Sequence, residues 1–374
     1  MSNPFKGFSK LPIQDVFGVN ELKPFGVPIF KHLILNKNWM CMTTNFVPTQ
    51  APEYLDLFSN YTEAELVQLR TDPNTRFLFS LLWEGFSYKN YDFHELIAVS
   101  AIKHDIPAEK LFFISSNLLD EDNHKDKPFK ITVVSFNYFA GQVMQYLKSA
   151  YSIDQTVKNI ETATNTFLSL NRRKKPFRNY TVYKLFESNI DALMSFDLLT
   201  LEDFDFSNDI LELLCKSSPR TLDQNDFGLN WACEPPEAAN PKELFKNTAA
   251  SLVSETLFET WDSTSMFYSE KTFKPMIYNH PVMIFGQQGL NTCLDTVGFK
   301  HYAKHFDLTF ESIADPKSRI DAQISQLLTF KNLTTQQTID WVLQDTDTIQ
   351  HNQQALVDQT YNRGKLAKLI DAVK

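Results

Sequence analysis

The sequence is poor in glycine and cysteine, and it has no uninterrupted apolar run long enough to span a membrane. Only 10 of its 374 residues are glycine, which leaves few positions for glycine-rich loops. Its four cysteines are widely separated and include no Cys-x-x-Cys pair, which argues against a disulfide framework or a zinc knuckle. We therefore expect a protein of the reducing cytoplasm, without a membrane span.

Signatures of secretion and of several enzyme classes are also missing. The first ten residues, MSNPFKGFSK, lack the apolar stretch of a signal peptide. The sequence has no His-Glu-x-x-His pair and no Walker-type glycine loop. Asp-x-Asp pairs occur at 120/122, 203/205 and 345/347, but this spacing arises readily by chance in an acidic chain. We therefore expect neither a metal site nor a bound cofactor.

The composition is that of an acidic globular protein. Hydrophobic residues make up 43% of the chain, and its 32 phenylalanines predict well-filled cores. The formal net charge of -9 argues against non-specific binding of nucleic acid, which needs a basic face. A length of 374 residues is long for a single core, so we predict two domains.

Strand and helix patterns alternate along the first part of the chain, which is typical of a parallel α/β domain. A capping box at Thr62–Glu65 predicts the start of the first of these helices. The predicted strands are 27–36, 39–44, 76–83, 110–115 and 129–135, and the predicted helices are 62–70, 92–103 and 139–147. We assign residues 1–160 to this N-terminal domain.

A second α/β domain is expected over residues 161–334, followed by C-terminal helices over 335–374 that pack back across the domains. Its predicted elements are a strand at 167–170, helices at 180–194 and 210–216, a strand at 249–254, a helix opening at 269–271, a strand at 281–285, and helices at 290–297 and 315–328. Ser269 is the expected cap of its helix, whereas Pro275 predicts a kink or a late start. Because ligands bind beyond the carboxyl ends of parallel strands, we expect Glu255, Glu270 and Lys271 at that edge.

A cationic loop follows the first strand of this second domain. Five cations fall within the seven residues 172–178, among them Arg172, Arg173 and Arg178. Arginine forms bidentate hydrogen bonds with phosphate oxygens, so the loop is a candidate site for a diphosphate. A solvated basic turn and a nucleic-acid patch are the alternative interpretations.

The segment from Glu255 to Gly286 resembles the donor-binding motif of α1,3-fucosyltransferases, in which an acidic residue ends a strand and Thr/Ser-Glu-Lys opens a helix. It is still more similar to a group of glycosyltransferase-like proteins of bacteria and bacteriophages. They carry Glu-Lys-Thr-Phe-Lys-Pro, as at 270–275, then His-Pro, as at 280–281, and Leu-x-x-x-Gly-Phe, as at 294–299. The similarity extends over about residues 167–330.

The resemblance implies two Rossmann-like domains facing a cleft, the GT-B architecture. It also implies that Glu270 contacts the hydroxyls of the nucleotide's ribose and that Lys271 neutralises phosphate, with Lys274 assisting. Glu255 would orient the donor sugar or brace the loop. Trp261 and Tyr268 are candidates for packing against the base, although both aromatics also fit a core.

An inverting transfer needs a general base, which the resemblance places in the first domain. Glu84 is our candidate catalytic residue because it ends the apolar strand at 76–83 and precedes Gly85. Asp92, His94 and Glu95 compete with it, and a cap or a loop salt bridge would explain Glu84 as well. A retaining mechanism would not need this base.

The sequence therefore predicts a cytoplasmic glycosyltransferase of a bacterium or of a virus-infected host cell. It would transfer a hexosyl or pentosyl group from a nucleotide sugar to a glycan or another hydroxyl acceptor, without a metal. Two alternatives remain. One is a glycosyltransferase that modifies nucleic acid bases, and the other is a protein that binds a nucleotide without catalysis.

Overall fold

The computed structural model describes residues 8–11, 38–44, 56–81, 93–141, 143, 163–171, 175–196, 241–258 and 265–373. The chain divides into two compact units. The first comprises Met1–Gly141, Trp261–Phe267 and Gln359–Lys374, and the second comprises Gln142–Thr260 and Tyr268–Asp358. Each unit combines helices with a sheet of its own, so the α/β class expected from the sequence is confirmed.

Helices account for much of the described chain. Numbered in chain order, they are α1 (Glu63–Thr71), α2 (Phe93–Lys103), α3 (Asp120–His124), α4 (Pro176–Glu187), α5 (Pro241–Lys246), α6 (Glu270–Ile277), α7 (Leu290–Cys293), α8 (Pro316–Leu327), α9 (Thr335–Val342), α10 (Thr346–Asp358) and α11 (Thr360–Val373). Short 3-10 helices occur at Ala108–Lys110, Leu294–Val297, Leu308–Ser312, Leu328–Phe330 and Leu343–Asp345. Within the described part of the chain, no helix has both the length and the apolar character needed to cross a membrane.

The first unit contains a five-stranded sheet. Its strands lie side by side in the order β1 (Phe8–Leu11), β2 (Asn38–Thr44), β3 (Thr75–Leu81), β4 (Leu111–Ser115) and β5 (Thr132–Ser135). β1 is antiparallel to β2, whereas β2 to β5 are parallel neighbours. Nearly all residues of β3 and β4 are buried, as expected for a parallel sheet that is covered on both faces.

The two faces of this sheet are covered differently. Crossovers between parallel strands are nearly always right-handed, so the sequential strand order is expected to place the connecting helices on one face. That face forms a cluster with α1 and α2, including Leu66, Leu69, Phe77, Phe79, Leu96, Ile97 and Phe113. The opposite face packs against α11, in a cluster that includes Cys41, Leu78, Phe112, Ile114, Val134, Leu366, Leu369 and Val373. The last helix of the chain thus completes the core of the first unit.

Polar contacts fix α11 on the first unit. The Nδ2 of Asn362 donates to the carbonyl oxygen of Asn137 at 2.9 Å, and the Asn137 N–H donates to Asn362 Oδ1 at 2.8 Å. Lys365 and Lys368 donate to the two carboxylate oxygens of Glu121, at 2.7 and 2.6 Å. The helix is therefore positioned by hydrogen bonds and ion pairs as well as by its apolar side chains.

The second unit has a four-stranded parallel sheet. Its strands are β6 (Asn165–Asn171), β7 (Ala192–Phe196), β8 (Thr248–Ser254) and β9 (Val282–Phe285), in the order β7-β6-β8-β9. The predicted strand–helix–strand unit is confirmed as β8, α6 and β9. Of the two expected effects of Pro275, a kink or a late start, the late start is wrong, because the helix begins at Glu270 under the Ser269 cap and ends two residues beyond Pro275.

One predicted helix is wrong at its carboxyl end. The sequence favoured a helix over residues 180–194, but α4 ends at Glu187 and residues 192–196 form β7. Asn189 has φ 51°, a left-handed conformation that ends the helix. Residues 192–196 then pair with β6, because tertiary pairing overrides the high helix propensity of Ala, Leu and Met.

A side chain closes the outer edge of β9, the last strand in the described sheet. Asn291 Nδ2 donates to the carbonyl oxygen of Ile284 at 2.8 Å, and the Ile284 N–H donates to Asn291 Oδ1 at 2.8 Å. Gln323 Nε2 donates to the same carbonyl at 2.9 Å. The carboxamide of Asn291 thus pairs with Ile284 as the peptide group of a further strand would.

Capping residues mark several helix starts. The predicted capping box is confirmed, since the Glu65 N–H donates to Thr62 Oγ1 and the Thr62 N–H donates to the Glu65 carboxylate. Asp315 caps α8 by accepting a hydrogen bond from the Ser318 N–H at 2.7 Å, with Pro316 in the first turn. The helical periodicity at the end of the chain is confirmed by α9, α10 and α11.

Candidate functional site

The strand order of the second unit reverses between β6 and β8. β7 lies on one side of β6, and β8, the next described strand, lies on the other. Helices leaving such a pair diverge to opposite faces, so a crevice opens beyond the carboxyl ends of the two strands. Asn171 ends β6 and Ser254 ends β8. The chain segments that follow these residues form the candidate site.

Glu255 follows β8 directly and is buried, with 1% of its surface exposed. Its N–H donates to the carbonyl oxygen of Phe285 at 2.8 Å, which continues the pairing with β9. Its carboxylate Oε1 accepts from the Ser269 N–H at 3.0 Å and from Thr272 Oγ1 at 2.6 Å. Oε2 accepts from the Thr256 N–H at 3.1 Å. Glu255 therefore braces the start of α6.

Gly286 leaves little room for a side chain beside Glu255. A Cβ atom at this position would lie 2.7 Å from Leu290 Cδ1 and 3.1 Å from the Cβ of Glu255. The Leu290 side chain or the backbone near Glu255 would have to shift to admit it. Glycine avoids this adjustment where the ends of β8 and β9 lie close together.

The first turn of α6 carries an acidic and a basic side chain side by side. Lys271 Nζ lies 3.0 Å from Glu270 Oε1, and the two side chains are 23% and 13% exposed. Ser269 Oγ caps the turn by accepting from the Lys271 N–H at 3.3 Å. Both charged groups are held at the carboxyl edge of the sheet, half-buried but still reachable from solvent.

Glu270 is ionised at neutral pH. Burial raises the pKa of this carboxyl, but the charges of Lys271 and Lys274 outweigh burial and hold the pKa below its ordinary value. An ionised carboxylate only accepts hydrogen bonds, so the available chemistry is recognition of hydroxyl or N–H groups. The two ammonium groups beside it would attract an anion.

Cations at the start of α4 hold the chain that follows β8. Arg178 is 2% exposed, and its Nε and Nη2 donate to the carbonyl oxygen of Glu255 at 3.3 and 3.2 Å. Lys175 Nζ donates to the carbonyl oxygen of Thr256 at 3.2 Å. Of the predicted cationic loop, these two residues thus meet Glu255 and its neighbour, whereas Arg172 and Arg173 lie outside the described residues.

A second buried arginine, which the sequence reasoning missed, holds the same edge. Arg319 Nη2 donates to the carbonyl oxygens of Phe258 and Gly286, both at 2.8 Å. Its Nη1 donates to Ile313 and Ala314 at 2.6 and 3.0 Å. Its position on α8 could have indicated that it is buried. Arg319 falls on the same helical stripe as the buried residues Ile320, Gln323, Ile324 and Leu327.

The N–H groups of the turn after β9 already donate to a carboxylate of the protein itself. Glu311 accepts from the N–H groups of Gly289 and Asn291, the latter at 2.9 Å. Burial raises the pKa of Glu311 despite these hydrogen bonds. Tyr268 is also buried and donates its hydroxyl proton to the carbonyl oxygen of Leu290, so it anchors this turn and does not face a ligand. An anion is therefore better placed near α4 and α6.

Two polar atoms at the strand ends have no hydrogen-bond partner within the described residues. They are Oδ1 of Asn171 and Oγ of Ser254, each in a side chain that is 1% exposed. The amide of Asn171 does donate to Ser169 Oγ at 2.8 Å. Buried polar atoms are usually satisfied, so these two leave hydrogen-bonding capacity at the reversal of strand order.

The candidate bases of the first unit are only partly described. Glu84 and Asp92 lie outside the described residues, as does Trp261. Glu95 is exposed on α2. His94 is buried, and its Nε2 donates to the carbonyl oxygen of Phe129 at 2.8 Å. Its ring lies 4.2 Å from that of His124, whose pKa is lowered to about 4 by burial and by His94.

No group of three or more His, Cys, Asp or Glu side chains within the described residues could hold a metal ion. No protein-family model and no curated protein sequence matches the chain.

Proposed function

We propose that this protein is a glycosyltransferase that moves a hexosyl or pentosyl group from a nucleotide-sugar donor to a hydroxyl acceptor. The observation that carries the proposal is the Glu270–Lys271 pair, with an ammonium 3.0 Å from an ionised carboxylate at the carboxyl edge of β8. A carboxylate accepts hydrogen bonds from two neighbouring hydroxyls, and an ammonium neutralises phosphate. A ribonucleoside diphosphate presents a pair of hydroxyls and a phosphate together.

Further cations support binding of the diphosphate. Lys274 is close enough to Glu270 to lower its pKa, and it follows Lys271 on the same helix. The proposal assigns direct phosphate contacts to Arg172 and Arg173, which precede α4. Arg178 would act through the Glu255 carbonyl that it holds. The start of α4 adds the positive end of a helix dipole, which favours an anion.

The proposed mechanism is inverting and needs no metal. It uses two Rossmann-like domains that face a cleft, with the donor in the second. The acceptor oxygen attacks the anomeric carbon, the bond from that carbon to the phosphate oxygen breaks, and the nucleoside diphosphate leaves with the electron pair. Glu84 takes the acceptor proton. The preplaced cations stabilise the charge that develops on the leaving group.

The sequence motif supports the same assignment. Glu270–Pro275 forms the first turns of α6, and Gly286 follows β9 with little room for a Cβ atom beside Glu255. These features match what the resemblance to glycosyltransferase-like proteins implies for the donor side. The proposed setting is a bacterial or phage-infected cytoplasm.

Calorimetry with UDP, GDP, CDP and dTDP, in the presence of a chelator, tests this function directly. We expect one ribonucleotide to bind, and its 2′-deoxy form to bind about 10-fold more weakly because Glu270 loses one hydroxyl partner. The matching nucleotide sugar should then be hydrolysed slowly by the protein alone. Absence of binding by all four nucleotides would reject the proposal, and binding that depends on a divalent cation would reject the metal-free mechanism.

A further inference from the structure

The carboxylate of Glu255 makes its hydrogen bonds inside the protein. Three donors reach it, namely the N–H groups of Thr256 and Ser269 and the hydroxyl of Thr272. The carboxylate cannot contact a sugar in this arrangement, because the residue is only 1% exposed. Its effect on a ligand has to pass through the residues that it holds.

The residues held by Glu255 are those that present the charged pair. Ser269 caps α6, and Thr272 lies one residue after Lys271 and is fully buried. Oε1 of Glu255 is the common acceptor for both, at 3.0 and 2.6 Å. A shift of this oxygen would therefore move the backbone on both sides of Glu270 and Lys271.

The backbone of Glu255 is itself fixed from two directions. Its N–H donates to the carbonyl oxygen of Phe285 in β9, and its carbonyl oxygen accepts from Arg178 of α4. The first turn of α6 is thus tied through one side chain to β9 and to α4. Hydrogen bonds that involve a charged group are stronger than neutral ones, so this connection is stiff.

We infer that Glu255 and Thr272 are positioning residues, which set the geometry of the Glu270–Lys271 pair for the nucleotide without touching it. The inference rests on the proposed function. Binding groups must be held within a fraction of an ångström, and a displacement of 1 Å can cost about 100-fold. The Thr272 hydroxyl is therefore part of the specificity of the site, although it is buried.

Two substitutions at Thr272 separate the effect of its hydroxyl from the effect of its shape. Thr272→Val keeps the branched shape but removes the donor to Glu255, whereas Thr272→Ser keeps the donor. Thr248→Val is the matched control, because Thr248 is equally buried at the opposite end of β8 and its hydroxyl donates to the Leu244 carbonyl. Calorimetry with UDP, GDP, CDP and dTDP is combined with melting temperatures for all variants.

We expect Thr272→Val to bind the nucleotide about 10- to 100-fold more weakly, and Thr272→Ser and Thr248→Val to bind it like wild type. The two valine variants should lose similar melting temperature, so that stability does not explain the difference in affinity. Equal affinity of Thr272→Val and wild type would overturn the positioning role alone. If wild type binds none of the four nucleotides, the proposed function fails and the positioning role fails with it.

Discussion

The two sheets of this protein differ in strand order. In the first unit β2 to β5 follow one another in space as they do in sequence, whereas in the second unit β7 and β8 flank β6. Sequential order places the crossover helices on one face and leaves the other for α11. In such sheets a crevice forms where the strand order reverses, which here is at the ends of β6 and β8. Strand order thus decides which sheet offers a candidate site and which needs an added helix.

The polar chemistry of the two units follows this difference. At the reversal in the second unit, Arg178, Arg319 and Glu255 use buried charges to hold chain segments around the Glu270–Lys271 pair. In the first unit, ion pairs join Lys365 and Lys368 of α11 to Glu121. We therefore expect substitutions in the second unit to affect nucleotide binding, and those on α11 to affect stability.

Glu270→Ala should give the largest effect on function. Losing the carboxylate removes the acceptor for the ribose hydroxyls, so turnover and nucleotide binding should both fall below detection. The free energy of unfolding should change by less than about 1 kcal/mol, because only one charge at a helix N-terminus is lost. Kinetics and thermal unfolding measure the two quantities. A large drop in melting temperature with normal activity per folded molecule would make Glu270 structural.

Glu84→Gln tests whether the first unit supplies the base. Glutamine keeps the size of the side chain but cannot take the acceptor proton, and general-base catalysis contributes about 10²–10⁴-fold. We expect kcat to fall by that factor and nucleotide affinity to stay at the wild-type value. The pH–rate profile should lose its acidic limb. Near-normal transfer would redirect the search to Asp92, His94 and Glu95.

Leu369→Ala tests the role of α11 as the cover of the first sheet. Leu369 is fully buried against β2 to β5, so truncation should lower the free energy of unfolding by about 2–5 kcal/mol. Leu328→Ala is the control, since that leucine is 45% exposed and should cost little. Denaturant unfolding measures both variants. Equal stability of the two would mean that α11 contributes little to the core.

Arg172→Ala and Arg173→Ala test the cationic loop. A charge-assisted hydrogen bond contributes about 1.5–3 kcal/mol, so loss of a phosphate contact should weaken nucleotide binding by about 10- to 100-fold. Titration calorimetry with the nucleotide and with the corresponding nucleoside separates phosphate contacts from base contacts. If both variants bind the nucleotide like wild type, the loop is a solvated turn.

Glu121 should give the smallest effect, a pH dependence of stability in the first unit. Burial raises the pKa of Glu121, but hydrogen bonds from Lys365 and Lys368 outweigh it, and the folded-state pKa lies below the ordinary value. Its contribution is therefore complete above the unfolded pKa of about 4.3 and is lost as the pH falls through the folded value. As the pH falls, the free energy of unfolding measured with denaturant should decrease less in Glu121→Gln than in wild type. Parallel curves of this free energy against pH would contradict the expectation.

Sequence patterns predicted the elements whose neighbours in space are also near in sequence. The apolar runs gave β3 and β4, and a cap residue gave the start of α6. The sequence predicted that the C-terminal helices pack back across the domains, but not that α11 covers the first sheet, because its partner strands lie more than 200 positions earlier in the sequence. β7 was missed for a related reason, since its pairing with β6 overrides a helix-compatible composition.

The charged residues of the candidate site were found more easily than their roles. Spacing placed Glu255 and Glu270 at one edge, yet one is enclosed by three donors and the other remains partly exposed. Burial of a carboxylate depends on which N–H groups a distant loop brings to it. The hydrogen bonds of Arg319 could not be predicted for the same reason, because its four acceptors come from three separate segments of the chain.

The carboxamide pairing described for Asn291 also occurs at Asn362, which meets Asn137 just after β5. At Ile284 the amide of Asn291 fills the outward-facing N–H and carbonyl of β9, the last strand of its sheet as described. Unfilled groups on an edge strand recruit strands from other molecules, which leads to aggregation and domain swapping. At this position one side chain takes the place of a further strand, and an incoming strand finds no free peptide group there.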